Sequence, residues 1–158
     1  LADIRGLRVR VGHESFGPLI ASFGATPAVI PFDDVKAALE TGMVDCAITS
    51  AGSGRSAGWA KHSTHLFTLG LQMGLNGYVI NLQLWKSLRK REQELIEASV
   101  LQHVEAIWSH VRRVHSEAIS CTTGGECTEG TRGTLVKVEP SPGDIKALRE
   151  AFERTTFR

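Results

Sequence analysis

The sequence predicts an α/β fold: a parallel-rich mixed sheet flanked by helices, plus one very long helix over about residues 84–119. Three observations predict it. The first fifty residues read strand–helix–strand–helix–strand, the order that builds a parallel sheet. Glycines fall where the two helices between those strands should stop. Further on, apolar residues recur in steps of mostly three and four across the whole of the long segment.

Residues 7–12 alternate Leu, Arg, Val, Arg and Val, which suits a strand with one buried face and places Arg8 and Arg10 together on the other. Phe16, Leu19, Ile20 and Phe23 have helical spacing over 15–23, and Gly24 can end that helix in the left-handed conformation. Residues 27–31 form a short strand bounded by prolines. Asp33 can cap the next helix, whose apolar face is Val35, Ala38 and Leu39 and which Gly42 ends. Residues 43–49 predict a third strand. Residues 50–58, Ser-Ala-Gly-Ser-Gly-Arg-Ser-Ala-Gly, are either a loop after that strand or the Gly-rich start of a helix. Residues 64–72 and 76–82 predict two further strands.

The long helix carries Leu95, Ile96, Val100, Val104, Ile107, Val111, Val114 and Ala118 along one stripe, widened by Leu101 and Trp108. Roughly 30 helical residues would span about 45 Å, more than a small domain is wide. Such a helix is expected to bridge two lobes or pair with another chain. A coiled coil fits less well, because the seam is short and has few flanking charge pairs. A strand over 133–138 follows. Ser141-Pro142-Gly143-Asp144 then starts a terminal helix, with Ser at the N-cap and Pro at the first helical position. Its buried face is Ile145, Leu148 and Phe152. The organisation expected is an α/β lobe over 1–76, then a crossover strand, the long helix, a cysteine loop, a strand and a helix over 77–158.

The chain has 158 residues and a net charge of +1, from 18 basic and 17 acidic residues. That balance gives no basic stripe for nucleic acid. No apolar run approaches the roughly 20 residues that span a bilayer. The chain lacks an initiator Met and runs almost at once into a strand, so it reads as part of a longer protein, and the lack of a targeting segment says nothing of compartment. Cys121 and Cys127 flank a short Thr- and Gly-rich loop. They form either a disulfide, which implies an oxidising compartment, or two free thiols. Cys46 reads as a small buried hydrophobe on a strand. His62, His65, His103 and His110 have no neighbouring Cys, Asp or Glu that completes a metal site. There is no phosphate-binding loop, nucleophile elbow or zinc-protease motif, and no nucleophile with a base beside it. No cofactor, metal or catalysis is expected.

Three ordered segments carry a resemblance. Leu1-Ala2-Asp3-Ile4-Arg5-Gly6-Leu7-Arg8-Val9-Arg10-Val11 resembles the D-L-K-G-L-K-[IL]-R-V-P segment of the extracytoplasmic solute-binding subunits of TRAP transporters, the DctP family. Gly24 to Pro27 with Pro31 to Val35 is similar to its G-A-x-P and P-F-x-E-V. Ala38 to Asp45 resembles its A-L-Q-T-G-x-V-D-G, and Trp85, Leu88, Gln93 and Ile96 fit the start of its long helix. The likeness is dense over residues 1–100. It implies a periplasmic-binding-protein-like lobe, the second half of a two-lobed protein whose first lobe is absent from this chain. It also implies a periplasmic protein that captures an organic acid, a dicarboxylate among the candidates, and delivers it to membrane permease subunits.

Arg10 matches the family arginine that pairs with the ligand carboxylate, a role suited to a guanidinium fork. Phe32 matches a position that can pack on the ligand. Thr49 stands where many members carry a ligand-binding Asn; its hydroxyl, and that of Ser50, can still donate a hydrogen bond. Gly12 replaces a common Pro, and His13 stands where some members have a polar contact. Trp59 can wall the cleft, and Asn76 and Tyr78 can face it. Surfaces that would pack on the missing lobe are expected to drive self-association. Two rivals are the ligand-sensing domain of a bacterial transcriptional regulator and an enzyme on the same fold. The regulator would keep its thiols reduced, and the enzyme lacks an acid–base set.

Overall fold

The computed structural model describes residues 1–71 and 77–156. The chain divides into two compact units, one of Leu1–Leu71 with His115–Arg158 and one of Gln72–Val114.

In the first unit, β1 (Arg8–Val11) is the central strand. It pairs in parallel with β2 (Thr26–Val29) on one side and with the two-residue β3 (Cys46–Ala47) on the other, giving the order β2-β1-β3. Arg10 lies opposite Ala28 and Ala47 in this register. Helix α1 (Gly17–Ser22) connects β1 to β2, and α2 (Val35–Glu40) connects β2 to β3. Val9 and Val11 point away from Arg10 into a core with Ile20 and Ala25, edged by Ile4, Leu7, Phe16, Cys46 and Ile48. Gly24 and Gly42 have φ values of +80° and +68°, the left-handed stops that the sequence requires.

The ambiguous Gly-rich stretch is a helix, α3 (Ala51–Ser56), capped by Ser50, whose hydroxyl accepts from Ser53 N at 3.1 Å. A second two-stranded sheet pairs β4 (His65–Phe67) in parallel with β5 (Val136–Val138). Every strand pairing among the described residues is therefore parallel. The terminal helix α6 (Pro142–Thr156) begins in a reciprocal cap. Asp144 N donates to Ser141 Oγ at 3.1 Å, and Ser141 N donates to the Asp144 carboxylate at 2.9 Å. Leu148 and Ala151 of α6 bury against Leu19 of α1, with Phe152 beside them.

In the second unit, the strand predicted over 76–82 is not formed over its described residues, 77–82, and residue 76 lies outside them. Residues 77–81 have no regular structure, and α4 (Leu82–Ser87) starts at once after them. The cause is Asn81, whose Oδ1 accepts from Gln83 N at 2.9 Å and Leu84 N at 3.1 Å. This cap outcompetes the β-propensity of Tyr78-Val79-Ile80, which finds no partner strand among the described residues; Val79 is 97% exposed. The strand predicted over 64–72 shortens to β4, and its residue 72 lies outside the described residues.

The long helix is broken near its predicted start. Leu88 is extended, and α5 (Lys90–Thr122) begins after it, re-capped by the Glu92 carboxylate, which accepts from Arg89 N at 2.8 Å. Gln93 Nε2 donates to Trp85 O at 2.7 Å across the break. With 33 residues, α5 is about 50 Å long. Leu95, Leu101, Trp108 and Val111 are exposed, whereas Ala118, Cys121 and Thr122, in the first unit, are buried. Asp33 does not cap α2: it sits within a 3-10 turn, Phe32–Asp34, that Pro31 leads into, and no side-chain cap bond forms there. Cys121 and Cys127 are joined in a disulfide that closes the loop after α5.

Candidate ligand-binding site

The two arginines on the outer face of β1 meet opposite fates. Arg8 is 48% exposed and neutralised. Its Nε and Nη2 donate to the two Asp45 carboxylate oxygens at 3.0 and 2.7 Å, and its backbone N–H adds a third bond at 2.8 Å. These bonds from the Arg8 side chain and backbone hold the Asp45 pKa down at about 2.

That shift sets a pH dependence. Unfolded, Asp45 takes up its proton near pH 4, at about the usual 3.9. Folded, it does so only near 2. The folded chain binds fewer protons across this window, so the pair's contribution is complete above about pH 4 and falls away as the pH drops toward 2. The melting-temperature gap between the native chain and Asp45→Asn is expected to narrow steadily from pH 4.5 to pH 2.5. A gap that stays constant over that range would show that the carboxylate does not carry the effect.

Arg10 is only 5% exposed and has no acidic partner among the described residues. Its Nε donates to Ile30 O at 2.8 Å and its Nη1 to Ile48 O at 3.1 Å. The Trp59 ring lies under the guanidinium, 5.5 Å from centroid to Cζ. Burial pushes its pKa down, yet a guanidinium remains charged. Two carbonyls and one aromatic face thus hold a cation in place without neutralising it. Of its five N–H groups, both on Nη2 and one on Nη1 are uncommitted among the described residues. Gly12 lies beside Nη2, where an added Cβ would stand 3.6 Å away, so glycine leaves that side of the fork uncovered.

The parallel register brings His13, Phe32, Thr49 and Ser50 to the same edge, where loops leave the C-terminal ends of the strands. Phe32, 40% exposed, lies 5.1 Å from Trp59 between ring centroids. Trp59 itself is 5% exposed, and its indole N–H has no partner among the described residues. Thr49 is exposed at the end of β3, and its hydroxyl makes no hydrogen bond among the described residues. Two residues are committed locally. Ser50 Oγ accepts from Ser53 N and donates to Ser53 Oγ at 2.8 Å. His13 Nδ1 accepts from Ser15 N at 3.2 Å, and its other ring nitrogen is free among the described residues. Tyr78 belongs to the second unit, where its ring lies 6.5 Å from His103. Asn76 lies outside the described residues.

Sequence reasoning missed Ile30 and Ile48, because they act through backbone carbonyls that any residue supplies. It also missed Arg55 on α3, whose partners lie more than seventy positions away. A cavity of about 250 Å³ lies on the Val9 side of the sheet, behind the Thr49–Trp59 wall. Arg10 does not line it. No metal-ligating cluster occurs among the described residues, and no helix among them is long and apolar enough to cross a membrane.

The sequence matches the family model described as bacterial extracellular solute-binding protein, family 7 (DctP), over residues 1–156. No curated protein matches it. Among solved structures, the fold is similar to a TRAP periplasmic solute-binding protein from Desulfovibrio salexigens with bound orotic acid. That match has a TM-score of 0.80 at 20% identity and covers 98% of this chain and 48% of the other. It is also similar to the periplasmic ectoine-binding protein of a Halomonas elongata TRAP transporter, with TM-score 0.79, 17% identity and coverage of 97% and 48%. A third is a TRAP periplasmic solute-binding protein from Bordetella bronchiseptica with bound (R)- and (S)-mandelate, with TM-score 0.71, 21% identity and coverage of 96% and 47%. The chain spans about half the length of these solved proteins.

Proposed function

Because the chain belongs to the DctP family of bacterial extracellular solute-binding proteins, family 7, we propose that it supplies one wall of an organic-acid site in a TRAP-type transport system. The whole protein captures a carboxylate in the periplasm and hands it to membrane permease subunits; its work is binding, without chemistry on the solute. The observation that carries this reading is the buried charge of Arg10 with no acid among the described residues to balance it. A cation out of water is costly unless something pairs with it, and a ligand carboxylate can take two parallel hydrogen bonds from its uncommitted N–H groups. Phe32 and Trp59 flank the solute, Thr49 and the free ring nitrogen of His13 offer polar contacts at the rim, and Ser50 acts through its cap. Asn76 and Tyr78 are further contacts proposed on sequence grounds. Closure of a second lobe over Arg10 would exclude water and strengthen the ion pair. Orotic acid and mandelate, bound by two similar proteins, belong to the same chemical class. Nothing observed favours the regulator reading.

The test is a thermal-shift screen of the full-length polypeptide against mono- and dicarboxylates, with Arg10→Ala as control. At least one acid should raise the melting temperature, and the shift should vanish in the variant. A screen without a responding acid, or a shift that survives the substitution, overturns the proposal. The 158-residue chain alone, spanning about half of its relatives, is expected to bind the same acid weakly by calorimetry and to self-associate in light scattering through the exposed apolar residues of its second unit. Micromolar binding by this chain would show that one wall suffices.

A further inference from the structure

Helix α3 separates Thr49 and Ser50 from Trp59, so both of its ends border the Arg10 site, yet little in its sequence can hold it there. Ala-Gly-Ser-Gly-Arg-Ser has two glycines and no large apolar side chain, and none of its residues is buried. Such a segment has low helix propensity and no hydrophobic anchor. The Ser50–Ser53 and Ser56–Ser53 bonds stay within the helix and its cap. Among the described residues, the side-chain hydrogen bonds that leave α3 all come from Arg55. Its Nη2 donates to Glu129 O and, at 3.3 Å, to the Sγ of Cys127 in the disulfide loop. Gly130 passes close by: a Cβ there would stand 3.4 Å from the same nitrogen. The helix also packs tightly between the two wall residues. A Cβ at Gly54 would stand 3.2 Å from Thr49 Cγ2 and 3.9 Å from the Trp59 ring.

From this geometry we infer that Arg55 is a positioning residue for the site. It clamps α3 to the Cys121–Cys127 loop, and through α3 it fixes Thr49 and the Trp59 ring on which the Arg10 guanidinium rests. The disulfide is the fixed end of the clamp. It holds the Glu129 carbonyl and the Cys127 sulfur where a single guanidinium nitrogen, Nη2, meets both. Its role as a wall of a binding site rests on the proposed function; the clamp itself does not.

The experiment uses the full chain without ligand. Amide exchange over residues 53–58 is expected to rise roughly ten-fold in Arg55→Ala, with the global denaturation midpoint nearly unchanged. Arg55→Lys should restore part of the protection. In a Trp85→Phe/Trp108→Phe background, where Trp59 is the sole indole, Arg55→Ala should shift the emission to longer wavelength. Opening the loop with Cys121→Ala/Cys127→Ser should give the same local loosening, and combining it with Arg55→Ala should add nothing further. Unchanged exchange over 53–58 in Arg55→Ala, or effects of the two lesions that add in full, would overturn the clamp. Failure of the carboxylate screen would instead bear on the site reading, so the two can fail separately.

Discussion

Arg10→Met in the full-length polypeptide is expected to abolish carboxylate capture while leaving the ligand-free fold about as stable as before. The two halves of this result come from one cause. With ligand bound, Arg10 holds one side of a desolvated, hydrogen-bonded ion pair, and truncating one partner of such a pair costs about 2–5 kcal/mol, roughly 30-fold to several thousand-fold in affinity. Without ligand, the same side chain is a cation that is 5% exposed and rests on the carbonyls of Ile30 and Ile48 and the Trp59 ring. Its removal leaves two carbonyls short of a donor, but it also relieves the burial of a charge, and an unbranched apolar chain refills the space. These terms oppose one another, and the net change in denaturant-measured stability should lie within about 1 kcal/mol of zero. An arginine kept for structure would behave in the opposite way, losing stability while binding persisted. A Met variant that binds normally, or one destabilised by more than about 3 kcal/mol, would reject the ligand-anchor reading.

The contrast with Arg8 explains how much of this was legible in the sequence. Both arginines could be placed on one face of β1 from alternation alone. Their different fates depend on Asp45, which lies thirty-seven residues away and meets Arg8 only after β3 pairs with β1. The parallel order, the left-handed stops at Gly24 and Gly42, and the Ser141 cap were readable because each is set by residues a few positions apart. The segment 77–82 was misread because local β-propensity was weighed without asking which strand would pair with it, whereas the Asn81 cap needed no distant partner. Polar residues near the site were legible as types and not as roles. Ser50 and His13 spend hydrogen-bonding capacity on their own turns, which became evident only when their neighbours were in place. The Arg55 clamp leaves no local pattern at all.

Gly133→Ala is expected to be far more damaging than a one-methyl change usually is, costing about 3 kcal/mol or more. A Cβ at this position would stand 2.3 Å from the Thr122 carbonyl oxygen and 2.9 Å from the Thr122 carbonyl carbon and Cα. All three are backbone atoms, so no side-chain rotation can relieve the clash. Neither partner is free to move. Gly133 N donates to Cys121 O at 2.7 Å, Thr122 O accepts from Leu135 N at 3.0 Å, and Thr122 Oγ1 is tied to Ala118 O at 2.7 Å. Separating the two segments would break the bonds that end α5 and lead into β5. Two other glycines provide controls for this reasoning. Gly12→Ala adds a methyl at ordinary contact distance from Arg10 and should leave stability nearly unchanged. Gly42→Ala meets open space but must adopt φ +68°, so it should cost about 1 kcal/mol from backbone strain alone. Denaturation midpoints should therefore rank Gly133→Ala well below Gly42→Ala, and Gly42→Ala below Gly12→Ala. If Gly133→Ala were as mild as Gly12→Ala, the close approach of the returning chain to the end of α5 would be wrong, and with it the placement of the loop on which Arg55 closes.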